Sequence, residues 1–370
     1  METRQRIPAD QYTLLDYGNG RRLEQLGTIR IIRPAPAALK PEMFPQLWKA
    51  IDAVYDSQRA GGGSWITQLR PLPEPEVDYA GIRFKLMLAP TGQIGLFPEH
   101  RQVWNSIRNC ALAYRARSAQ HPESKPRRML RVLNLFGYTG AATIAALQSG
   151  CEVCHVDAAA SVVNRAKQNA ALSGVAGGPV RWIVDDVLKF VRREIRRGRR
   201  YDVIIVDPPS FGRGGGTATW KIQRDLPGLL ADLWRLCRGR PALFILSAHT
   251  DGLSPDELQA MLLASRRDYS RYEYAEQDLA GQEIADSIRE SRDVSGYLPK
   301  FSMQHARLKS GHLYMRRFEP EQDSVDCFTA TDGADKESVI NETGNAAGHS
   351  VAGSYVGLMH PLLADHLTVY

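Results

Sequence analysis

Length, composition and charge exclude several classes of protein at once. The chain has 370 residues, of which 43% are hydrophobic, so it can bury a sizeable core and is not disordered as a whole. It contains no run of about 18 uninterrupted apolar residues, which excludes a membrane-spanning helix, and its first residues lack the apolar segment of a signal peptide. Five cysteines are too few, and odd in number, for a disulfide framework. We therefore expect a cytoplasmic protein with reduced thiols and no membrane partner.

The net charge of +6 is unevenly distributed along the chain. Residues 319–370 contain nine carboxylates and one lysine, so this segment carries −8 and the preceding 318 residues carry +14. A basic body of this size is typical of a protein that approaches a polyanion, because attraction to phosphates supplies most non-specific affinity for nucleic acid. Charge alone does not establish such a partner, but it favours one.

The first 120 residues predict a small α/β domain. The stretch "TIRIIR" (28–33) alternates as a strand does, and "IRFKLMLAPTGQIGLF" (82–97) reads as a hairpin around a Pro/Gly turn. From Glu99 onwards, Val103, Ile107, Cys110 and Tyr114 recur at helical spacing, which predicts an amphipathic helix. Residues 118–128 are polar and contain two prolines, so we predict the domain boundary there.

Residues 121–318 predict a second, larger domain in which strands and helices alternate. Five apolar runs, "RVLNLF", "EVCHVD", "VRWIVDD", "YDVIIVD" and "PALFILSA", are each followed by a helical pattern, which indicates a Rossmann-like, doubly wound and mostly parallel sheet. Residues 301–318 read as an antiparallel hairpin around Lys309, Ser310 and Gly311 that closes the sheet. Residues 319–370 are acidic and lack periodicity, so we predict a largely disordered tail.

The carboxyl ends of the first three strands carry residues suited to a nucleoside ligand, because ligands of open α/β sheets bind at that edge. Gly137 and Gly140 follow the first strand and allow close backbone approach to a ligand. Asp157 follows the second strand, where an acid can accept both ribose hydroxyls. Asp185 and Asp186 follow the third, and one of them, preferably Asp186, can bind an adenine amino group. A dinucleotide and S-adenosylmethionine both satisfy this pattern.

The segment "DPPSF" (207–211) after the fourth strand distinguishes the two cofactors. Two consecutive prolines offer carbonyl oxygens and no N–H groups, and Phe211 adds a flat surface. This corner suits a planar nitrogenous ring that donates amino hydrogens, for which a redox enzyme has no need. The dinucleotide fingerprint G-x-G-x-x-G is also incomplete here, since only G-x-x-G is present. We therefore favour S-adenosylmethionine as the cofactor over nicotinamide.

Together, "NLFGYTG" (134–140), Asp157, "DDV" (185–187) and "DPPSF" resemble the class I S-adenosylmethionine-dependent methyltransferases, in particular the bacterial large-subunit (23S) rRNA base methyltransferases. The segment "GQIGLFPEHRQVW" (92–104) is similar to one that links a small α/β domain to the catalytic domain in that family. The resemblance implies RNA, ribosomal RNA in particular, as the partner. It implies these cofactor-binding residues: Asn134, Phe136, Gly137, Tyr138, Thr139, Gly140, Asp157, Ala158, Asp185, Asp186 and Val187.

The resemblance also raises the question of a cysteine nucleophile, which members that methylate carbon 5 of cytosine need. Where those relatives have the cysteine, this chain has Ala248, between Ser247 and His249. We therefore expect direct attack by a base nitrogen on the methyl group. The expected catalytic residues are Asp207, Pro208, Pro209 and Phe211, with Ser247 and His249 as further candidates.

Several alternatives remain open at this point. A methyltransferase acting on a protein or a small molecule would have the same cofactor half of the site, and a glutamine amide would fit the "DPPSF" corner. Cytosine carbon-5 methylation without the expected cysteine, a non-catalytic RNA-binding protein on the same scaffold and a redox enzyme are the others. No metal site is predicted.

Overall fold

A computed structural model describes residues 10–58, 63–67, 74–120, 128–213, 219–250, 253–269, 307–316 and 349–359. Its first part is a five-stranded sheet in which consecutive strands are neighbours. All neighbours are antiparallel except the parallel pair β3 and β4. The strands are β1 (Tyr12–Gly18), β2 (Arg21–Leu26), β3 (Ile29–Pro34), β4 (Ala53–Asp56) and β5 (Ser64–Thr67). The strand predicted at residues 28–33 is β3, which confirms that prediction.

The hairpin predicted at residues 82–97 is wrong in its pairing. A separate two-stranded sheet joins β6 (Glu76–Tyr79) to β7 (Ile82–Lys85), so the first predicted strand pairs backwards along the chain. The Pro/Gly turn still closes, because Met87 N–H donates to the Ile94 carbonyl at 3.0 Å and Ala89 N–H donates to the Gln93 carbonyl at 2.9 Å. The predicted turn is therefore present, whereas the described residues between β7 and α1 contain no second strand.

The predicted amphipathic helix is confirmed as α1 (Arg101–Gln120). Val103, Trp104, Ile107 and Cys110 are buried on its inner face. This face packs against α2 (Ala141–Gln148), a helix that follows the predicted domain boundary in the chain. One hydrophobic core therefore continues from the first sheet through α1 to α2.

The residues after the predicted boundary form a seven-stranded sheet, of which five strands are parallel to one another. Its strand order is β10-β9-β8-β11-β14-β16-β15. The parallel strands are β8 (Arg131–Leu135), β9 (Glu152–Asp157), β10 (Val180–Val184), β11 (Val203–Val206) and β14 (Leu243–Ala248). A short hairpin, β12 (Phe211–Arg213) with β13 (Thr219–Lys221), follows β11. This is the α/β fold class expected from the sequence.

Helices connect the parallel strands, as the alternating pattern predicts. Besides α2 they are α3 (Ala160–Leu172), α4 (Val187–Arg196) and α5 (Ile222–Leu236). A further helix, α6 (255–269), follows β14, the last parallel strand. From β8 the chain adds β9 and β10 towards one edge of the sheet, and then adds β11 and β14 on the other side of β8. The direction in which strands are added therefore reverses between β8 and β11. In open α/β sheets such a reversal opens a crevice at the carboxyl ends of the strands.

The predicted C-terminal hairpin within residues 301–318 is wrong. Residues Arg307–Arg316 form one strand, β15, which runs through Lys309, Ser310 and Gly311 without turning. Its antiparallel partner is β16 (His349–Met359), which lies between β14 and β15. Strand β16 belongs to the tail that was predicted to be disordered, so the prediction of disorder is wrong for residues 349–359. The rest of the tail, 319–348 and 360–370, lies outside the described residues.

Within the described part of the chain, no helix combines the length and apolar character needed to cross a bilayer.

Candidate active site

A pocket of about 670 Å³ opens at the carboxyl ends of the parallel strands. This volume is within the range of small-molecule sites, roughly 300–1,000 Å³. Five strand ends, those of β8, β9, β10, β11 and β14, supply its wall together with the β12–β13 hairpin and the segment preceding α1. The lining residues are Gln93, Phe97, Phe136, Tyr138, Asp157, Ala158, Ala159, Asp186, Val187, Leu188, Asp207, Pro208, Pro209, Ser210, Gly212, Trp220 and His249.

The loop between β8 and α2 has an unusual backbone. Phe136 and Tyr138, both of which line the pocket, adopt left-handed conformations with φ of 56° and 48°, and Gly140 has φ of 90°. Residues other than glycine avoid this region because Cβ meets the backbone, at a cost on the order of 1 kcal/mol or more each. The loop is fixed from both sides, since Gly137 N–H donates to the Val156 carbonyl and Gly140 N–H donates to the Gly137 carbonyl, each at 3.0 Å.

The two glycines of this loop are required by packing inside the protein. A Cβ on Gly137 would lie 2.5 Å from Cε1 and 2.6 Å from Nδ1 of His155, which is buried in β9. A Cβ on Gly140 would lie 2.8 Å from the Cβ of Ala166 in α3. The glycines bring the loop against β9 and α3, which differs from the expected reason, close approach to a ligand.

Two other residues that the sequence predicts as cofactor-binding, Asn134 and Thr139, make hydrogen bonds within the protein. The Asn134 amide donates to Thr143 Oγ1 at 2.9 Å, and Thr143 Oγ1 lies 3.0 Å from His155 Nδ1. The Thr139 hydroxyl donates to the Gly95 carbonyl at 2.7 Å, which joins the loop to the segment preceding α1. Within the described residues neither Asn134 nor Thr139 supplies a lining atom of the pocket.

Asp157 lies in the pocket wall at the end of β9, as predicted for a ribose-binding acid. Its Oδ2 accepts a hydrogen bond from Tyr138 N–H at 3.0 Å and its Oδ1 accepts one from Ala159 N–H at 2.9 Å. Burial raises the pKa of this carboxyl, and the backbone N–H groups oppose that rise. Each oxygen retains a second lone pair, so the carboxylate is held rigidly and can still accept hydroxyl donors.

The structure separates the two neighbouring acids at the end of β10. Asp186 lines the pocket and caps α4, because its side chain accepts from Lys189 N–H at 2.9 Å. Asp185 accepts from Arg193 Nη2 at 2.6 Å and from Asp186 N–H at 2.8 Å, and contributes no atom to the pocket wall that the described residues form. The preference for Asp186 thus agrees with the geometry, and Val187 beside it adds an apolar contact surface.

The "DPPSF" corner forms the opposite wall of the pocket. Asp207, Pro208 and Pro209 line it, and Asp207 Oδ1 accepts from the Ser247 hydroxyl at 2.6 Å. The Pro209 carbonyl accepts from Trp220 Nε1 at 2.7 Å, so this acceptor is already engaged within the protein. Phe211 stands between the lining residues Ser210 and Gly212 but is 67% exposed and does not itself line the pocket.

Sequence reasoning missed several residues that shape the pocket or its wall, among them Gln93, Phe97, His100 and Trp220. The Phe97 ring packs against the rings of Tyr138 and His249 at centroid distances of 5.3 and 5.4 Å. The Trp220 ring contacts the Phe136 ring at 5.0 Å. The first three lie in the segment 92–104, which the sequence singled out only as a connection; its family resemblance was the available signal.

One cluster joins this segment to the "DPPSF" corner. The Nε2 atoms of His100 and His249 are 2.9 Å apart, and His100 Nδ1 is 3.9 Å from Asp207 Oδ2. Burial lowers the pKa of His100, although the carboxylate of Asp207 opposes this effect. His100 is thus a buried imidazole in contact with His249, which lines the pocket.

The described cysteines lie away from the pocket. Cys110, Cys151, Cys154 and Cys237 are buried in the hydrophobic cores. Burial raises the pKa of Cys110 and Cys237 to about 12 and that of Cys151 and Cys154 to about 11. A thiol with such a pKa supplies almost no thiolate at neutral pH and is a poor nucleophile. Cys327 lies outside the described residues.

Comparisons with known proteins agree with this architecture. A crystal structure of the SAM-dependent methyltransferase from Agrobacterium tumefaciens superposes with a TM-score of 0.70 at 25% identity, covering 96% of this chain and 92% of that one. SMU.776, described as a methyltransferase complexed with SAH, shares the fold with a TM-score of 0.54 at 20% identity, covering 68% of this chain and 65% of that one. The pocket fits such a cofactor in volume and in its acidic and apolar wall residues.

Sequence relatives point the same way over a shorter stretch. The ribosomal RNA large subunit methyltransferase I of Yersinia pseudotuberculosis is 35% identical over 137 residues. This match covers 36% of the chain and spans only 33% of the relative's length. The family model of S-adenosylmethionine-dependent methyltransferases matches residues 55–243, just over half of the chain. The chain therefore belongs to the S-adenosylmethionine-dependent methyltransferase family.

Proposed function

We propose that this methyltransferase transfers its methyl group to a nitrogen of a nucleobase in large-subunit (23S) ribosomal RNA. The observation that carries the proposal is the corner of Asp207, Pro208 and Pro209 in the pocket wall, with Phe211 exposed directly beside it. Backbone and carboxylate acceptors next to an exposed ring suit a planar base with amino hydrogens. The name of the Yersinia relatives supports ribosomal RNA as the substrate.

The cofactor half of the site is assigned to the opposite wall. We assign the ribose to Asp157, whose carboxylate is held by two backbone N–H groups, and the adenine to Asp186 and Val187. Phe136, Tyr138 and Ala158 complete this wall. We assign Gly137 and Gly140, with Asn134, Thr139 and Asp185, to holding the loops in place.

The chemistry asks little of the protein beyond alignment. When bound, S-adenosylmethionine supplies an electrophilic methyl group on a sulfonium that leaves as a neutral thioether. The residues of this chain hold the acceptor base at attack distance and exclude competing nucleophiles. Asp207 is oriented for that role by its hydrogen bond from Ser247.

Attack by a nitrogen is favoured because a base nitrogen already has a lone pair, whereas cytosine carbon 5 needs prior addition of a thiolate. Ala248 occupies the end of β14 and is buried, and the four described cysteines are remote from the pocket. The described residues therefore offer no thiol to this pocket.

A base in a duplex must be turned out to enter such a pocket, and nearby cations would hold the flanking phosphates. Of the basic cluster at residues 192–200, Arg193 and Arg197 form ion pairs with Asp185 and Glu194. Arg196 and Arg199 are exposed, but Arg199 lies beside Arg131 and Glu152 at the amino ends of β8 and β9. This cluster is therefore at the edge of the sheet opposite the pocket, and we assign it no contact with the phosphates next to the methylated base. In the second cluster, residues 125–131, Arg128 forms a bidentate pair with Asp202.

The experiment that tests the proposal incubates the protein with labelled S-adenosylmethionine and ribosomal subunits, free RNA or total protein from a strain lacking it. We expect label in 23S rRNA, mapped to a base nitrogen. Label in protein or in a small molecule would show that 23S rRNA is not the substrate. Detection of 5-methylcytosine as the product would contradict the inference of nitrogen attack that rests on Ala248.

Two variants separate the halves of the site. Asp157→Ala removes a charged acceptor, a loss of roughly 1.5–3 kcal/mol, so the Kd for S-adenosylmethionine should rise about 10- to 150-fold in calorimetry. Phe211→Ala should leave that Kd unchanged and lower kcat/KM for RNA, because base stacking contributes about 1–3 kcal/mol.

Phe211→Tyr is the matched control, because it keeps the ring and should restore transfer. If both alanine variants kept the wild-type Kd and kcat/KM, the site assignment would be wrong.

A further inference from the structure

Three side chains from distant parts of the sequence meet beside the pocket. His100 precedes α1, Asp207 follows β11 and His249 follows β14. One donor atom from each lies within 4.8 Å of the other two. Asp207 and His249 line the pocket, while His100 is 7% exposed and packs against His249.

The two imidazoles contact each other through their Nε2 atoms. These atoms are 2.9 Å apart, the ring planes are 7° apart and the ring centroids are 5.2 Å apart, so the rings lie end to end and one Nε2–H donates to the other Nε2. Two nitrogens bound at about 2.1 Å to a tetrahedral ion are about 3.4 Å apart. Exchange of the shared proton for an ion therefore requires the rings to turn until both Nε2 lone pairs point towards the ion and Asp207.

The surroundings of the cluster also resemble those of a metal site. The Ser247 hydroxyl donates to Asp207 Oδ1 at 2.6 Å and so fixes the carboxylate, while Asp207 Oδ2 lies on the side of His100. The Phe97 ring lies against both imidazoles, with centroids 5.8 Å from His100 and 5.4 Å from His249. Ligand orientation by such neighbours is a regular feature of protein metal sites.

We propose that His100, Asp207 and His249 bind one divalent transition-metal ion, of the Zn²⁺ type, whose remaining coordination positions face the methyl-transfer pocket. Two imidazoles and one carboxylate suit Zn²⁺ and its neighbours in the first transition series. Mg²⁺ and Ca²⁺ prefer sites made of oxygen ligands and bind such a set poorly. The three residues are more than 40 positions apart in the sequence, so no ligand spacing revealed them.

The role of the ion rests on the proposed function. It would bind an oxygen or ring nitrogen of the acceptor next to the nitrogen that is methylated, because a coordinated lone pair cannot attack. Coordination draws electrons from the base and lowers the pKa of the neighbouring N–H. In the transfer, the N–C bond forms, the C–S bond breaks with its electron pair left on sulfur, and the proton of the acceptor passes to water.

The test of metal binding uses no RNA and so stands apart from the test of the substrate. The full chain is treated with a chelator, dialysed, and titrated with Zn²⁺ in calorimetry. We expect one equivalent to bind, at least tenfold weaker binding in His249→Ala and in Asp207→Asn, and no displacement by millimolar Mg²⁺. Replacement by Co²⁺ should give visible absorption bands that both variants lose.

Asp256→Asn is the control, because Asp256 is an exposed carboxylate on α6 outside the cluster, and it should bind Zn²⁺ as the wild type does. Unchanged thermal unfolding of each variant without metal verifies that it is folded. Absence of stoichiometric uptake by the folded wild type, or uptake unaffected by both variants, would overturn the proposal and leave a histidine pair that shares a proton.

Discussion

Phe136 and Tyr138 flank Gly137 in left-handed backbone conformations, and this loop gives the pocket its floor. The conformation is held by contacts that the sequence does not display: the ring of His155 under Gly137 and the Ala166 Cβ beside Gly140. A glycine pair after a strand is readily recognised, yet the reason for each glycine depends on residues 18 and 26 positions further along.

A substitution at Gly137 tests this account. In Gly137→Ala the new Cβ would lie 2.5 Å from a buried ring, so the loop or His155 must move. Such overpacking costs about 1–3 kcal/mol. We expect the free energy of unfolding in urea to fall by that amount, and S-adenosylmethionine to bind more weakly because Tyr138 and Asp157 move with the loop.

Gly177→Ala provides the control, since a Cβ there meets no atom within 4 Å and the backbone is outside the left-handed region. It should change the free energy of unfolding by less than about 1 kcal/mol. Equal effects of the two substitutions would mean that the packing against His155 does not constrain the loop.

The site residues that could be predicted are those adjacent in sequence to a strand end. Asp157, Asp186 and the Asp207–Pro209 corner each follow an apolar run directly, so a strand assignment was enough to place them at one edge of the sheet. His100 and Trp220 follow no parallel strand. They reach the pocket through tertiary packing, which no local pattern encodes.

At the scale of elements, the parallel strands were predictable and the two last strands were not. Fully buried strands read as continuous apolar runs, as in β11 and β14. In β15 the triplet Lys309, Ser310 and Gly311 has turn chemistry but continues an extended strand. Its partner β16 is separated from it by more than 30 residues, so the pairing is non-local and leaves no signature in either segment.

Removal of β16 tests its place in the sheet. It has six register pairs with β14, from Leu243–Met359 to Ala248–Ser354. At about 0.5–1 kcal/mol of net stabilisation for each, their loss would cost roughly 3–6 kcal/mol, much of the stability of a typical domain. A chain ending at residue 318 should therefore unfold at a lower urea concentration or aggregate through the exposed edge of β14.

A chain that ends after Met359 keeps the strand and serves as the control. We expect it to unfold at the same urea concentration as the full chain. If the chain ending at residue 318 behaved in the same way, β16 would not contribute to the sheet in solution.

At the scale of the whole molecule, the residues before and after the predicted boundary share one hydrophobic core and one pocket wall. The core cluster that contains Leu26 and Phe84 also contains Ile107 of α1 and Ile144 of α2. The segment before α1 supplies Gln93 and Phe97 to the pocket wall. The predicted boundary at residues 118–128 follows α1, yet α1 packs against α2 on the other side of that boundary. The residues before the boundary therefore form part of the pocket wall.

Stability of the whole molecule should depend on pH through buried imidazoles. Burial lowers the pKa of His155 to about 3, against about 6.5 in an unfolded chain. Between these values the unfolded state binds more protons than the folded state, so the free energy of unfolding rises with pH. Above pH 6.5 the imidazole is neutral in both states and His155 does not lower the free energy of unfolding. As the pH falls from 6.5 towards 3, the free energy of unfolding decreases by up to about 1.4 kcal/mol per pH unit.

The measurement is urea unfolding of the wild type and of His155→Asn between pH 8 and pH 5. Asparagine keeps a polar partner for Thr143, whose hydroxyl lies 3.0 Å from His155 Nδ1, and it does not titrate. The variant should be less stable at pH 8, because it fills less of the core, yet lose less stability on acidification.

Other buried groups do not disturb this comparison. The pKa of the buried Glu24 carboxyl is lowered to about 2, so the stability that Glu24 contributes is lost only below about pH 4.5, outside the measured range. The lowered pKa of His100 acts in the same direction in both proteins, so it cancels in the comparison. Identical pH dependence of the two proteins would show that His155 takes up a proton in the folded state, and that the polar layer beneath the methyl-donor loop is open to water.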